Sequence, residues 1–250
     1  MYDLGIIGGM GPKATNIAFG RIIDYTYANR DQEHISIIIL NNTKIPDRTM
    51  AILNNENEII GILKNEFNTM EKLNIPIVIV ACNTSHFFIR KIEKNVIFID
   101  AINETKSYFY KTYKDKALCI LGTTGLITSN VFCKSEEKPL IIYPDSDTQA
   151  GIMDIINKIK SGTDTSIMSL RMLEYMEKLQ GKNGNIVFIL ACTEISLMRD
   201  YLMKKFICVD CLDVLITQAI CQCGYKINDK PGQFLSNISY FLDDNYSVGE

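Results

Sequence analysis

Short, unbroken apolar runs alternate along this chain with longer stretches in which apolar residues recur at helical spacing. Unbroken runs of Val, Ile and Leu are typical of parallel strands that are covered on both faces. We therefore predict buried strands over Leu4–Ile7, Ile35–Leu40, Ile77–Val80, Val96–Ile99, Ala117–Leu121, Leu140–Tyr143, Ile186–Leu190 and Phe206–Val209.

The longer stretches between these runs have the periodicity of amphipathic helices. Ile59, Leu63 and Phe67, for example, recur at one-turn intervals, which places them on one helix face. Strands that alternate with helices form β-α-β units, so we predict an α/β protein built from doubly wound parallel sheets. The predicted helices cover Ala14–Asn29, Glu56–Lys72, Ala101–Tyr113, Gly151–Lys160, Ser166–Lys178, Leu212–Gly224 and Gln233–Asp243.

One segment of the chain occurs twice: an apolar strand that ends in a cysteine and continues with polar residues. The two cysteines, Cys82 and Cys192, lie 110 residues apart in a chain of 250. Matched segments in the same order predict a duplicated unit with one thiol on each side of a shared cleft. We expect residues 1–100 and 211–250 to form the first domain and residues 101–210 the second. The matched segments are Ile77–Thr84 with Val187–Glu194, Ile97–Asp100 with Ile207–Asp210, and Leu4–Gly9 with Leu118–Thr123.

The composition is that of an ordinary soluble globular protein, with 47% hydrophobic and 22% charged residues. A net charge of −3 provides no polybasic surface, so we predict neither a nucleic-acid partner nor a membrane partner. No segment approaches the ~20 apolar residues that a membrane-spanning helix requires. Residues Met1–Leu4 lack the basic region of a secretory signal, which predicts a cytoplasmic location. In that reducing compartment the eight cysteines are expected to be free thiols.

The repeated polar residues lie just past the strands, where ligands of open parallel sheets bind. Asn83, Thr84 and Thr193 follow the two cysteines and are typical of helix starts, whose free N–H groups attract anions. The same position favours the thiolate form of a cysteine. Core cysteines do not usually recur at strand ends in both halves, so we predict that Cys82 and Cys192 are functional thiols.

The remaining cysteines do not share this position. Cys119 and Cys208 lie inside apolar strands and are predicted core residues, and Cys133 lies in a loop. A structural zinc site remains an alternative, but the chain has only two histidines to complete a mixed site, and we predict no metal. Its ligands would be a C-x-x-C followed by a C-x-C, at Cys208, Cys211, Cys221 and Cys223.

The glycine-rich segment Gly8–Gly11 follows the first strand and contains Met10. It matches neither the dinucleotide pattern G-x-G-x-x-G nor the P-loop pattern, so no nucleotide cofactor is predicted. A tight turn into a helix that starts near Pro12 explains the glycines, and such a turn also lets the backbone approach a small ligand closely. Met10 is therefore a candidate substrate-binding residue.

Four charged or titratable side chains lie near the strand ends or at a helix end. Arg48 follows the second strand in only one half, where it is either a solvated surface arginine or, because its planar guanidinium suits a carboxylate, a substrate-binding residue. Lys160 is a candidate for the same role, although lysines at helix ends are usually solvated. His86 and Glu194 lie shortly past the two thiols, where each either tunes the nearby thiol or forms a hydrogen bond in the core.

Two thiols on opposite sides of a cleft suit proton exchange at a carbon next to a carboxylate. One thiolate removes the proton from one face of the carbon and the opposite thiol donates a proton to the other face, so the stereocentre inverts. The α-proton of an amino acid is only weakly acidic. The site must therefore stabilise the carbanion with fixed donors and exclude water.

Three motifs, in order, resemble the aspartate/glutamate racemase superfamily over essentially the whole chain. The Gly-Gly-Met-Gly-Pro opening is similar to the branch of aspartate racemases and broad-specificity amino acid racemases. One position departs from the pattern, because Leu126 stands where the loop Gly-Thr-x-x-Thr usually ends in threonine. The three motifs are Gly5–Thr15, Ala81–His86 and Ala191–Ile195.

The resemblance implies a homodimeric isomerase that acts on aspartate, glutamate or both and needs no pyridoxal phosphate or other cofactor. It also implies two α/β domains related by a pseudo-twofold axis, with Cys82 and Cys192 as the two acid/base residues. Arg48 would bind an acidic side chain, with Lys160 as a helper. The α-carboxylate and the amino group would be bound by Asn83, Thr84, Ser85, Thr123 and Thr193.

Two alternatives stay open at this point. Another isomerase of the superfamily, such as a maleate isomerase or a hydantoin racemase, would use a cysteine on a different small acid. A non-catalytic protein of the same fold would bind a small amino acid without converting it, although binding alone needs neither thiol.

Overall fold

The computed structural model describes residues 2–133 and 140–228. Within these residues, eight strands form two parallel sheets of four strands each. All eight predicted strands are present, with ends that differ by a few residues. The strands are β1 (Leu4–Gly8), β2 (Ile37–Asn41), β3 (Ile77–Val80), β4 (Ile97–Phe98), β5 (Ala117–Leu121), β6 (Ile141–Ile142), β7 (Ile186–Leu190) and β8 (Cys208–Asp210).

Helices connect the strands, as the alternating pattern predicts. No helix in the described ranges is both long and apolar enough to cross a bilayer. The helix predicted over Gln233–Asp243 lies outside the described residues. The helices are α1 (Pro12–Tyr25), α2 (Arg48–Leu53), α3 (Glu58–Lys72), α4 (His86–Ile89), α5 (Ala101–Thr112), α6 (Thr124–Thr128), α7 (Ser146–Lys160), α8 (Thr165–Asn183), α9 (Thr193–Ser196), α10 (Arg199–Leu202) and α11 (Cys211–Gln222), with 3₁₀ turns at Asp31–Glu33 and Asn83–Ser85.

The two sheets have the same strand order. It is β2-β1-β3-β4 in the first sheet and β6-β5-β7-β8 in the second. Leu4 of β1 pairs with Ile77 of β3, and Ala117 of β5 pairs with Ile186 of β7 in the same parallel sense. The predicted α/β class with two similar parallel sheets is confirmed, and the repeat in the sequence is a repeat of whole sheets.

One face of each sheet packs into a shared central cluster together with helices α1, α5 and α11. Residues at alternate strand positions reach this cluster, as the period of two in a strand requires. Leu4 and Ile6 of β1 face it, as do Leu118 and Ile120 of β5. The continuous apolar runs arise because both faces of each sheet are covered.

The opposite face of each sheet has its own layer of helices. Ile7 of β1 packs with α3, whose buried residues include the predicted stripe of Leu63 and Phe67. Cys119 of β5 packs with α7 and α8, which confirms its prediction as a core residue. Because helices cover both faces, the carboxyl ends of the strands are the part of each sheet left open for a site.

Aspartates start helices at equivalent places in the two halves. Asp47 accepts a hydrogen bond from Met50 N at 2.9 Å, and Asp145 accepts one from Thr148 N at 2.9 Å. Helix α7 therefore begins earlier than the predicted Gly151, because the aspartate cap organises a first turn before the apolar periodicity starts at Ile152.

Helix α11 packs against α1 and β3 of the first half as well as against α5. This contact agrees with the expectation that the chain returns to the first half after its second sheet. The domain boundaries, with residues 1–100 and 211–250 in one domain and residues 101–210 in the other, stay a prediction.

Candidate active site

The two repeated cysteines lie just past the carboxyl ends of corresponding strands. Cys82 follows β3 and Cys192 follows β7. Both are buried, with 8% and 6% of their surface exposed, and both line one cavity between the halves, here called the inner cavity. The predicted site residues that line it are Met10, Arg48, Cys82, Asn83, Thr84, Thr123, Lys160, Cys192, Thr193 and Glu194.

The inner cavity is narrow, with an internal volume of about 20 Å³. That is room for about one water molecule. The inner cavity is therefore too small for an amino acid, which can bind only when side chains or the two halves move apart.

Contacts between the halves close the cavity. The hydroxyl oxygens of Thr84, after β3, and Thr123, after β5, are 2.8 Å apart and share a hydrogen bond. At Gly125 of α6, a Cβ atom would lie 2.6 Å from the Cα of Thr49 in α2, so only glycine permits this approach. Leu126 is buried in the central cluster and does not line the cavity. Leu126 therefore contributes to the core beside the site and not to the cavity wall.

Backbone carbonyl groups hold the Arg48 side chain at the cavity. Its guanidinium donates to the carbonyl oxygens of Pro46 and Met10, both at 3.0 Å, and to that of Ile45 at 3.4 Å. Its Nε is buried and has no hydrogen-bond partner in the described part of the chain. Carbonyl groups orient the guanidinium without neutralising it, so its positive charge is available to an anion in the cavity.

Cys192 is hydrogen-bonded to a carboxylate. Its Sγ donates to Glu194 Oε2 at 2.9 Å, and the Thr193 hydroxyl donates to the same oxygen at 3.3 Å. Burial raises the pKa of the Cys192 thiol well above its ordinary value, Glu194 raises this pKa further, and Lys160 opposes both effects. The expectation that the helix start lowers the pKa of this thiol is wrong, because α9 is a single turn and its field is outweighed by burial and the carboxylate.

Cys82 is fixed through its backbone instead. Its carbonyl oxygen accepts a hydrogen bond from Ser85 Oγ at 2.7 Å and lies 3.0 Å from Nδ1 of His86. Ala101 N donates to Nε2 of the same ring, so Nδ1 carries the proton and donates to Cys82. Burial lowers the pKa of His86, which keeps the ring neutral.

The structure thus separates two predicted residues from the others. Ser85 and His86 are fully buried and lie behind Cys82, and they are not part of the cavity lining. The hydroxyl of Ser85 is engaged by the backbone, so it is not placed to bind substrate as predicted. His86 contacts the Cys82 carbonyl group, so it acts on the thiol only through the backbone.

Sequence reasoning missed three residues of the cavity lining: Asp47, Thr49 and Ala191. Two of them flank Arg48, so their place beside the predicted anion-binding arginine was the available signal. Asp47 also caps α2, and this accounts for its presence before the arginine.

The four cysteines of the zinc alternative do not form one group of metal ligands within the described residues. Cys208 lies in the outer cluster of the second sheet, whereas Cys211 lies in the central cluster. Cys223 Sγ is 3.7 Å from the carbonyl oxygen of Asp3. Within residues 2–133 and 140–228, no three or more His, Cys, Asp or Glu side chains are grouped to hold a metal ion.

Comparison with known proteins shows the family. A family model described as Asp/Glu/Hydantoin racemase matches residues 7–219, which is most of the chain. The chain belongs to this racemase family. The resemblance inferred from the three motifs is confirmed, and with it the isomerase class.

A relative with a known role supports the same assignment. The broad-specificity amino-acid racemase RacX of Bacillus subtilis is 25% identical to this chain over 218 residues. The alignment covers 83% of this chain and 92% of that racemase.

Solved structures of other racemases share the fold. An aspartate racemase of Picrophilus torridus matches with a TM-score of 0.77 and 24% identity, covering 92% of this chain and 97% of that one. An aspartate racemase homologue of Pyrococcus horikoshii gives a TM-score of 0.71 at 19% identity and 90% and 100% coverage. A glutamate racemase of Bacillus anthracis gives 0.61 at 15% identity, with 97% and 93% coverage.

Proposed function

We propose that this protein racemises aspartate, glutamate or both by moving the α-proton between Cys82 and Cys192, without a cofactor. The observation that carries the proposal is that two thiols at equivalent strand ends line one cavity. Inversion of a stereocentre by proton exchange needs an acid and a base on opposite faces of the carbon, and a duplicated fold supplies such a pair.

The thiols begin the reaction in different states. Cys192 holds its proton because of burial and Glu194, so it is the donor of the resting protein. Cys82 then removes the α-proton of one enantiomer while Cys192 protonates the other face. The opposite enantiomer is converted by the reverse assignment. We expect the two halves to close again over the bound substrate, which would exclude bulk water from the carbanion.

Charged groups at the cavity favour an acidic substrate. We propose that Arg48 binds the side-chain carboxylate and that Lys160 assists it. In the described part of the chain, neither cation forms an ion pair, so both charges are available to a ligand. The α-carboxylate and the amino group are assigned to Asn83, Thr84, Thr123, Thr193 and the backbone at Met10, all of which line the cavity.

A chiral-chromatography panel of the amino acids in D₂O tests the proposal. We expect both enantiomers of aspartate or glutamate to be interconverted and to gain solvent deuterium at the α-carbon. Cys82→Ala and Cys192→Ala should each lower racemisation by at least about 10³-fold, because each removes one of the two proton-transfer groups. Cys133→Ala is the matched control, since this cysteine is exposed and outside the cavity.

Retained racemisation in either alanine variant would contradict the two-thiol scheme. Conversion of maleate or hydantoins in place of amino acids would identify one of the other isomerases. Thermal stabilisation by an amino acid without loss of its optical activity would identify a binding protein.

The homodimer and the cytoplasmic location stay predictions. Light scattering of the purified protein measures the first, and cell fractionation measures the second.

A further inference from the structure

A second, larger cavity adjoins the inner one. It has a volume of about 330 Å³ and is here called the outer cavity. It begins at the first residues of α1 and shares Asp47, Arg48, Lys160, Thr193 and Glu194 with the inner cavity. The shared residues form a thin partition between the nearly closed thiol chamber and a space that holds many water molecules.

Glu194 crosses this partition with its two carboxylate oxygens on different sides. Oε2 accepts the hydrogen bond of the Cys192 thiol at 2.9 Å. Oε1 faces α1, because a Cβ built on Gly11 would lie 3.9 Å from it. Gly11 lines the outer cavity and precedes α1, which has no side-chain cap. The first N–H groups of α1 therefore favour a carboxylate near Gly11.

The first half has no counterpart of this carboxylate. The residue equivalent to Glu194 in the repeat is Thr84, whose hydroxyl bonds to Thr123 across the cleft. Within the described residues, the Cys82 thiol is hydrogen-bonded to no carboxylate. Asp47 also lines both cavities, but within the described residues only the Cys192 sulfur is hydrogen-bonded to a carboxylate.

The proposed reaction creates a need for such a group. A turnover that begins with thiolate at Cys82 and thiol at Cys192 ends with thiol at Cys82 and thiolate at Cys192. The protein must exchange these states before it can convert a second molecule of the same enantiomer. Exchange by way of solvent requires a path for a proton to each sulfur.

We propose that Glu194 is a proton shuttle that connects Cys192 with water in the outer cavity. After product leaves, Cys82 gives its proton to water that enters the inner cavity. Glu194, a carboxylate in the resting protein, takes a proton from water in the outer cavity and passes it to the Cys192 thiolate. One proton leaves the protein and one enters, so the cycle is balanced. This role rests on the proposed function.

The side chains that line the cavities beside Glu194 carry charges of both signs. Lys160 and Arg48 line both cavities, and Lys13 at the start of α1 lines the outer one. Asp47 is the acidic residue on the same cavity wall.

Glu194→Gln tests the shuttle because the amide keeps the shape and cannot carry a proton. We expect its net racemisation rate at high substrate concentration to be limited by the return of the free protein. That rate should then rise about tenfold or more as a small buffer such as imidazole is added, because the buffer replaces the missing acid. The wild-type rate should not depend on buffer, and Glu194→Asp should restore this independence.

Glu174→Gln, an exposed carboxylate on α8, is the matched control and should behave as wild type. A Glu194→Gln protein whose rate falls without any buffer dependence would overturn the shuttle, since a merely structural role produces that result.

A second measurement needs no turnover. In a Cys82→Ser protein, a rapid increase in pH ionises the Cys192 thiol, and the ultraviolet absorbance of the thiolate measures the rate. The signal of the other cysteines is measured in a Cys82→Ser/Cys192→Ser protein and subtracted. We expect ionisation to become slow and buffer-dependent when Glu194→Gln is added to this protein. Equal ionisation rates with Glu194 and with Gln at this position would contradict the shuttle. A wild-type protein that racemises no amino acid would refute the proposed function, and this measurement would still decide the role of Glu194.

Discussion

The two halves of the molecule have the same sheet but attach their cysteines to it in different ways. In the first half, Ser85 and His86 hold the Cys82 backbone, and its sulfur has no hydrogen bond to a described residue. In the second half, the sulfur of Cys192 is bound directly by Glu194. Duplication has kept the positions of the sulfur atoms and has not kept their electrostatic surroundings. This difference between the two sulfur atoms suits a reaction in which one thiol donates a proton and the other accepts one.

The surroundings of the next residues differ as well. Ser196 is equivalent to His86, and it takes part in a buried ionic network instead of a neutral one. Arg21 of α1 donates to Ser196 Oγ at 2.7 Å and to Asp210 and Asp213 at 2.9 Å each. Arg199 also pairs with Asp213. The network joins a helix of the first half to the second sheet, whereas the neutral contacts of His86 stay near the first sheet.

Breaking the ionic network should have the largest effect. Asp213 is fully buried, and burial together with Asp210 raises its pKa to about 6, so it is ionised at neutral pH. Asp213→Ala leaves Arg21 and Arg199 without this partner and should lower the free energy of unfolding by about 3–5 kcal/mol. The equivalent change in the first half, Asn103→Ala, removes an exposed side chain and should cost less than about 0.5 kcal/mol. Urea denaturation measures both, and similar losses would show that the halves are stabilised alike.

Arg48 should have the next largest effect, on catalysis. Arg48→Met removes a charge at the cavity and should lower kcat/KM for aspartate about 100-fold, the value of a charge-assisted hydrogen bond of about 2–3 kcal/mol. Neutral amino acids should be affected much less. Ser146→Ala changes the equivalent position of the second half, which lies outside the cavity lining, and should leave kcat/KM unaltered. An equal loss of kcat/KM for acidic and neutral substrates would show that Arg48 supports the site without binding the substrate side chain.

His86 should make stability depend on pH. Because the pKa of the folded form is lowered, the unfolded chain binds a proton that the folded protein does not, so stability is complete above pH ~6.5 and falls below it. The free energy of unfolding should fall by up to about 1.4 kcal/mol per pH unit between the pKa of His86 in the unfolded chain and its lower pKa in the folded protein. In His86→Gln this part of the slope should disappear, which denaturation at pH 7.5 and pH 5 measures. An unchanged slope would mean that the loss arises at other groups. Ser196 has no such titration, so Ser196→Ala should keep the slope of the wild type.

The smallest effect is expected in thiol reactivity. Cys192 is held as a thiol by burial and Glu194, so iodoacetamide should modify Cys82 about tenfold faster at neutral pH. Glu194→Gln should narrow the difference, because the raised pKa of Cys192 loses one of its causes. Mass spectrometry of the two cysteine peptides measures the rates. Equal rates in the wild-type protein would indicate that the two sulfur atoms are equivalent.

The sheets could be predicted from the sequence because helices cover both of their faces, which produces unbroken apolar runs. Both faces of β3 and β7 are buried, so every residue of these strands is apolar and the run is unmistakable. The start of α7 could not be predicted from apolar periodicity, because Asp145 caps a first turn that contains no apolar repeat. The cysteines of the site could be found because they follow strand ends in both copies.

The contacts made by those cysteines could not be predicted from spacing. Ser85 and Asn83 both follow Cys82 closely, yet Ser85 turns back to the backbone while Asn83 lines the cavity. Which direction a side chain takes in a single tight turn depends on packing around it. Arg21 likewise reads as a solvated arginine on an amphipathic helix, because its partners Asp210 and Asp213 are distant in the sequence.

The contact between Gly125 and Thr49 limits how closely the two halves approach each other. A side chain at position 125 would collide with the backbone of Thr49 and would hold the two halves further apart. The volume of the inner cavity therefore depends in part on a glycine that does not line it.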